Sequence, residues 1–210
     1  MIRRQALFAC ATLLGAMGFP AQTRAEGPDP AVAQIRRFYD ALLAVMKDAA
    51  RLGIRGRYDK LAPAVRAAFD LPAMTRIAVG PAWNSIPPEQ RSALTESFSR
   101  MTIATYANRF DGYSGERFET ADASEARNTG RIVRTKLIPS TGAPVTLDYL
   151  VRDSGNVWKI VDVYLMGTIS ELATRRSEFS AILDSGGAEA LVAGLDKQVQ
   201  KLMRAPGTAK

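Results

Sequence analysis

Histidine is absent from this sequence, and cysteine occurs once, at Cys10. Without histidine, proton transfer near neutral pH would fall to Asp, Glu, Lys or Tyr. With one cysteine so close to the start, the body of the chain has no disulfide, no thiolate nucleophile and no thiolate metal site. No metal or cofactor is expected. The sequence also lacks a Gly-Xaa-Ser-Xaa-Gly nucleophile turn, a phosphate loop and a dinucleotide glycine run. It shows no internal repeat and no low-complexity segment. Its first apolar run, Ala6–Gly18, is too short to cross a bilayer.

That run has another use. Arg3 and Arg4 precede it, and Thr23-Arg24-Ala25 offers a small-residue cleavage site before Glu26. The pattern is that of a secretory signal peptide over residues 1–25. Leu7-Phe8-Ala9-Cys10 does not qualify as a lipoprotein box, because too few apolar residues precede the cysteine. Cleavage after Ala25 would remove three arginines and lower the formal charge from +7 to +4. The signal suggests a bacterial periplasm, where a protein without disulfides rests on its packed core. The small basic excess suits a membrane surface or an acidic protein, though a solvated surface explains it equally well. No nucleic-acid partner is expected. Of the 210 residues, 47% are hydrophobic and 23% charged, the proportions of a soluble globular protein. One domain is expected over residues 26–203, followed by a flexible tail, 204–210.

Apolar spacing predicts helices first. One begins at Asp29 or Pro30, carries Val32, Ile35, Phe38–Tyr39, Leu42–Leu43, Met46 and Ala49–Ala50, and ends at Gly53 and Gly56. A second runs from about Tyr58 to Phe69, with Pro63 near its start. A short third starts at Asp70-Leu71-Pro72 and stops at Gly80-Pro81. A fourth starts from a capping Ser85 and presents Leu94, Phe98, Met101, Thr105–Tyr106 and Phe110 on its inner face. The period then changes to two. Arg117–Ala123, Thr129–Ile138, Pro144–Arg152 and Val157–Met166 read as strands, and the turns between the last three imply antiparallel neighbours.

The last strand is apolar on both sides. Val157, Val161, Val163 and Leu165 should face one way; Trp158, Ile160, Tyr164 and Met166 should face the other. Gly167 ends it. Thr168 or Ser170 should cap a helix carrying Ile169, Leu172, Phe179 and Ile182–Leu183. Gly186-Gly187 breaks that helix, and a final one carries Leu191, Leu195, Val199 and Leu202. The fold class is α+β: a twisted four-stranded antiparallel sheet forming a half-open cone, with N- and C-terminal helices packed on it.

Candidate chemistry is sparse. Asp148 and Asp162 sit on strands among apolar residues, and a desolvated aspartate can act as a base. Such residues more often pair with a neighbouring Arg or Lys. Arg175-Arg176 could meet a phosphate head group or an acidic partner; pairing with Glu171 or Glu178 is the plainer fate. Tyr106 and Tyr113 could border a pocket mouth, or simply pack.

Several runs carry a family resemblance. They are Trp158-Lys159-Ile160-Val161-Asp162-Val163, Gly167-Thr168-Ile169-Ser170, and Arg175 or Arg176 with Glu178-Phe179. Trp83-Asn84, Pro88-Glu89-Gln90-Arg91, Phe98 and Thr105-Tyr106-Ala107 belong with them. Together they resemble the MlaC family of periplasmic phospholipid-binding, or toluene-tolerance, proteins, over about residues 33 to 203. The run Trp83–Phe118, with Arg109-Phe110-Asp111-Gly112-Tyr113-Ser114-Gly115-Glu116, is closer to the hopanoid-associated branch called HpnM.

The resemblance implies a non-enzymatic lipid shuttle that maintains outer-membrane lipid asymmetry. It would carry phospholipid, hopanoid or both, with acyl chains held between sheet and helices. Its implied partners are an inner-membrane lipid ABC transporter or hopanoid exporter, and an outer-membrane lipoprotein complex. Inferred facing nominates Met74, Ile77, Met101, Tyr106, Phe110, Val133, Leu147, Tyr149, Trp158, Ile160 and Val163 as the lining. Two rival readings remain at this point. One is a cone-fold enzyme for a hydrophobic substrate with Asp148 or Asp162 as base. The other is a ligand-free interaction module with a filled cone.

Overall fold

The structure, a computed structural model, describes residues 28–128 and 130–204. The expected signal peptide and residues 205–210 of the expected tail lie outside the described residues. Arg204 itself is the last residue of a helix.

Helix α1, Pro30–Lys47, is fixed at its start by one carboxylate. Asp29 Oδ1 accepts hydrogen bonds from the amides of Ala31 (2.9 Å) and Val32 (3.4 Å). Its Oδ2 accepts from the amide and hydroxyl of Ser124 (2.8 and 2.6 Å), which ties the helix to the sheet. Burial pushes the Asp29 carboxyl up, but the hydrogen bonds from Ser124, Ala31 and Val32 outweigh it and hold the group below the usual range. The helix ends at Lys47, earlier than the spacing predicts, and α2, Ala49–Ala68, follows at once. Gly53 (φ 58°, ψ −179°) adopts a conformation open essentially to glycine alone, so α2 restarts there.

Gly56 does not end a helix, and Pro63 lies in the interior of α2. The expectation of a first-turn proline is corrected by tertiary packing. Leu61, Val65 and Ala68 are buried on either side of Pro63 and hold the helix through the lost amide bond. Helix α3, Leu71–Val79, is capped by Asp70, whose Oδ1 accepts from the Ala73 amide. After a 3₁₀ turn, α4 runs Pro88–Arg109. Its cap position is Pro87 with no side-chain cap, so Ser85 does not serve as one.

The four expected strands are present, the second of them interrupted. β1 (Arg117–Thr120) occupies the first and stops short of Ala123, and β2 (Glu125–Arg127) follows where no strand was expected. β3 (Gly130–Val133) and β4 (Thr135–Ile138) share the second, broken at Arg134. β5 is Val145–Asp153, β6 is Trp158–Leu165, and β7 is the two-residue Ile169–Ser170. β1 pairs with β4 and β2 with β3; β3 and β4 both pair with β5, which pairs with β6, which pairs with β7. Every pairing is antiparallel and the sheet does not close.

Two local readings change. The register slips at Leu150/Val151, where Val151 opposes Ile160 while Leu150 opposes Asp162. This bulge inserts Val161 and reverses the parity of β6. Ile160 therefore shares the helix-facing side with Val163 and Leu165, instead of opposing them. Ile169 belongs to β7 and is exposed, so it is not on a helix. Helix α5, Glu171–Arg204, starts after it, with Ser170 Oγ accepting from the Ala173 amide (3.0 Å). Gly187 (φ 68°, ψ −166°) is a second glycine joint, at the expected Gly186-Gly187 break.

Helix α1 fills part of the hollow in the sheet. The Tyr39 ring stacks on Phe118 (centroids 4.2 Å) and meets Tyr149 edge-on (5.7 Å). Phe38 meets Phe69 and Tyr106 edge-on (5.2 and 5.3 Å). Arg57, buried in α2, donates to the carbonyls of Ala107 (2.8 Å) and Ala49 (3.3 Å), joining α4 to the α1–α2 junction. The remainder of the hollow stays open.

Candidate functional site

The open part lies between one end of the sheet and the helices. β5 supplies Leu147 and Tyr149; β6 supplies Val163 and Leu165. They are two cross-strand pairs, Tyr149 opposite Val163 and Leu147 opposite Leu165, so they form one patch of wall. The opposite wall is the C-terminal half of α4, from Phe98 through Met101, Thr102, Thr105 and Tyr106 to Arg109, with Phe110 just beyond. Phe69 and Met74 close one side, and Glu171, Leu172 and Arg175 of α5 close the other.

The two threonines on the α4 wall are less polar than their names. Thr102 Oγ1 donates to the Phe98 carbonyl (2.9 Å) and Thr105 Oγ1 to the Met101 carbonyl (2.8 Å). Their hydroxyls are satisfied within the helix. The cavity volume is about 110 Å³, and about 730 Å³ when all space between the wall atoms out to the open mouth is counted.

Seven of the residues nominated from sequence meet here: Met74, Met101, Tyr106, Phe110, Leu147, Tyr149 and Val163. The other four are placed elsewhere. Val133 is fully buried in the core on β3, opposite Tyr149. Ile160 is fully buried where its carbonyl accepts from the Asp70 amide (2.9 Å). Trp158 is half-buried at the far end of β6, opposite Asp153. Ile77 is half-buried on α3, and its carbonyl accepts from Arg176 Nε (3.1 Å).

The sequence reading did not nominate Phe69, Phe98, Thr102, Thr105, Leu165, Leu172, or the charged Arg109, Glu171 and Arg175. Phe98, Leu165 and Leu172 stood on apolar stripes. Arg175 stood in the arginine pair weighed as a phosphate contact, with Glu171 as an alternative partner, while nothing in the spacing singled out Arg109.

Deep in the hollow, three phenols gather. The Tyr39 hydroxyl is 2.6 Å from Thr135 Oγ1, which donates to the Leu147 carbonyl. Burial pushes the Tyr39 phenol up to about 12, with the Thr135 hydrogen bond opposing the shift. Burial likewise raises the phenols of Tyr106 and Tyr149. All three stay neutral across physiological pH, which keeps the cavity floor uncharged.

Both candidate aspartates are buried, and both are engaged. Asp148 accepts from Arg134 Nη1 (2.6 Å) and the Thr135 amide (3.2 Å), beside a polar groove on the other face of the sheet. Asp162 accepts from the Val163 and Leu172 amides (2.8 and 3.2 Å) and from Ser170 Oγ (2.5 Å). It thereby fastens β6 to the start of α5. Neither carboxylate lines the apolar cavity. Of the paired arginines, Arg175 meets Glu178 (2.9 Å), while Arg176 anchors α3 through Ile77. Among the described residues no cluster of His, Cys, Asp and Glu could hold a metal ion, and no helix is long and apolar enough to cross a membrane.

Comparison with known proteins places this geometry. The family model described as MlaC protein matches residues 36–197. Among solved structures, the chain is similar to the phospholipid-binding protein from Ralstonia solanacearum, determined in complex with a phospholipid. The two are 26% identical with a TM-score of 0.73, over 83% of this chain and 99% of that one. No curated protein matches.

Proposed function

The chain belongs to the MlaC family, and from that premise we propose that it is a lipid carrier of the bacterial periplasm. It takes phospholipid acyl chains into the cavity between α4, α5 and the β5–β6 end of the sheet. It ferries the lipid between an outer-membrane lipoprotein complex and an inner-membrane lipid transporter. The observation that carries this reading is a mainly apolar hollow, with charge at Arg109, Glu171 and Arg175 alone, in a fold that matches a phospholipid-bound relative.

Energetics favour such a design. Two acyl chains contain roughly thirty methylenes, and exposing each to water costs about 0.8 kcal/mol, so on the order of 20–25 kcal/mol opposes escape through water. A carrier must offer comparable apolar wall without greatly exceeding the membrane, and a passive cleft does so with no reactive group. The space is tight. Thirty methylenes need on the order of 900 Å³ if each takes about the volume of a water molecule. The hollow of about 730 Å³, much of it mouth, must widen to hold them.

A hopanoid passenger is the second reading, supported by the likeness of Trp83–Phe118 to the hopanoid-associated branch. An enzymatic role for Asp148 or Asp162 has less support, since both carboxylates are held in structural hydrogen bonds away from the hollow. The test is transfer of a labelled phospholipid between two vesicle populations kept apart by a protein-permeable membrane. The carrier reading predicts transfer that scales with protein and leaves the lipid chemically intact. Absence of transfer, with no lipid taken up, sinks it.

A further inference from the structure

One residue outside the cavity is placed against two rules at once. Met166, in the turn between β6 and β7, has φ 51°. Gly167 follows with φ 75°, and the Thr168 amide donates to the Leu165 carbonyl (3.2 Å), which closes the turn. Two positive φ values in succession favour Asn-Gly, and a methionine at the first of them is strained. Met166 is also 67% exposed, the most of any large apolar side chain among the described residues. Its backbone is fixed, since its amide donates to the Thr146 carbonyl (2.9 Å). An asparagine there would relieve the strain and suit the water around it. Both costs fall on one residue, and nothing in the fold repays them.

The tip is continuous with the cavity. Ile169, 45% exposed, stands opposite Leu165, and Leu165 stands opposite Leu147. Opposed residues share a face of the sheet, so these three form one row. Leu165 and Leu147 line the cavity. The row therefore runs from the cavity wall out to solvent with no polar side chain in it. Val145, two residues from Leu147 on β5 and so on the same face, adds to the exposed end.

We propose that this tip, Met166 with Ile169 and Val145, dips into the surface of a lipid bilayer, and that acyl chains pass between bilayer and cavity along the row. The inference rests on the carrier reading and adds the surface that the carrier touches. The size of the patch selects the partner. Three side chains are far fewer than the roughly 20–30 residues a side that a stable protein interface uses. A bilayer asks for no matched surface, and a few apolar side chains sunk to the acyl boundary give weak, reversible contact. Methionine, flexible and unbranched, suits disordered chains. A row that begins in the cavity matches a partner that is itself hydrocarbon, since a tail moving along it is never left in water.

The experiment places a dye at the tip. Cys10 is the only native cysteine, so with Cys10→Ser an environment-sensitive dye can be attached at Thr168→Cys, which leaves Met166 and Ile169 in place. Val157→Cys is the control: Val157 is 46% exposed, but the eight residues of β6 separate it from the tip. Vesicles of phosphatidylcholine with spin-labelled acyl chains should quench the dye at 168 and leave the dye at 157 unchanged, at low and high salt alike. In the vesicle-to-vesicle assay, Met166→Asn with Ile169→Thr should slow transfer by about tenfold, with the same lipid content at equilibrium. Its urea midpoint should not fall, because asparagine tolerates the positive φ and threonine suits a strand.

A dye at 168 that vesicles leave as unquenched as the dye at 157 overturns the proposal, and so does wild-type transfer by the double variant; the carrier reading survives either. Quenching that vanishes at high salt makes the contact electrostatic and overturns the apolar assignment. Shielding of the dye that grows with protein concentration, without vesicles, means that a second copy covers the tip and the bilayer does not. Quenching at 168 in a protein that neither takes up nor transfers lipid overturns the carrier reading instead, and leaves the tip a membrane contact with no cargo.

Discussion

Replacing Leu147 by Trp separates a cavity wall from a packed core by the sign of its effect. Leu147 is half-buried on β5 and faces the hollow opposite Leu165. Tryptophan adds about six heavy atoms, on the order of 60 Å³, which the cavity of about 110 Å³ can take. Filling a void returns about 24 cal/mol per Å³, so the ceiling is about 1.4 kcal/mol. Because the hollow is open, part of that gain is already supplied by solvent, and a stabilisation of up to about 1 kcal/mol is expected for the lipid-free form. In a wall that already touched its neighbours, the same change would overpack and cost about 1–3 kcal/mol. The assay is urea unfolding of delipidated protein, where the gain should raise the midpoint by up to about 0.5 M at an unchanged slope. Delipidation matters, since a bound lipid stabilises the fold by mass action. The same variant should retain severalfold less lipid. A destabilised Leu147→Trp with undiminished lipid content would refute the reasoning.

Three further outcomes follow from the same geometry. Val163→Arg, which puts a charge on the cavity wall, should abolish lipid co-purification while the far-ultraviolet circular dichroism stays native; lipid at wild-type stoichiometry would remove Val163 from the lining. Tyr39 should make the fold alkali-sensitive. Its phenol is held at about 12 in the fold against 10 unfolded, so the neutral form is favoured by roughly 3 kcal/mol. That stability is complete below pH 10 and disappears as pH rises to about 12, so Tyr39→Phe should lose less stability than wild type over that window, measured by unfolding midpoints. Asp162→Ala should cost about 2–4 kcal/mol, because it strips hydrogen bonds from Ser170 and the Leu172 amide at the β6–α5 corner. Bound lipid should stay chemically unchanged in that variant as in wild type; turnover that vanishes with Asp162 would revive the enzymatic reading.

Much of this arrangement was legible in the chain because period and punctuation agreed. The switch from helical spacing to alternation after Phe110 marks the helix-to-sheet boundary, Asp70 and Gly80 fall at true element ends, and Gly187 falls at the joint within α5. Where the reading slipped, a nonlocal contact had overruled a local signal. Pro63 reads as a start but lies inside α2, because Leu61 and Val65 are anchored on both sides of it. Alternation along Val157–Met166 assigns Ile160 to the wrong face, because a bulge at Val161 depends on the pairing with β5, which one strand's sequence does not reveal.

The site divides in the same way. Met101, Tyr106, Leu147 and Tyr149 could be nominated from facing alone. Ile160 and Val133 face the same general side but are covered by α1 and the α2–α3 junction, and composition does not distinguish covered wall from open wall. Thr105 was legible on the inner face of α4 and Thr102 was not, and the hydroxyls of both are absorbed by their own helix. Of the charged lining residues, Arg175 was legible as a candidate phosphate contact, whereas Arg109 joins it and Glu171 only because α5 returns across α4.

The central claim is that the hollow between α4, α5 and the sheet end is a seat for lipid tails. Native mass spectrometry of gently purified protein, followed by identification of its solvent extract, examines that claim at its root. The account predicts a single intact two-chain lipid per protein molecule, lost together with the seat in the Val163→Arg protein. Protein that emerges lipid-free, and stays so after exposure to phospholipid vesicles, would contradict it.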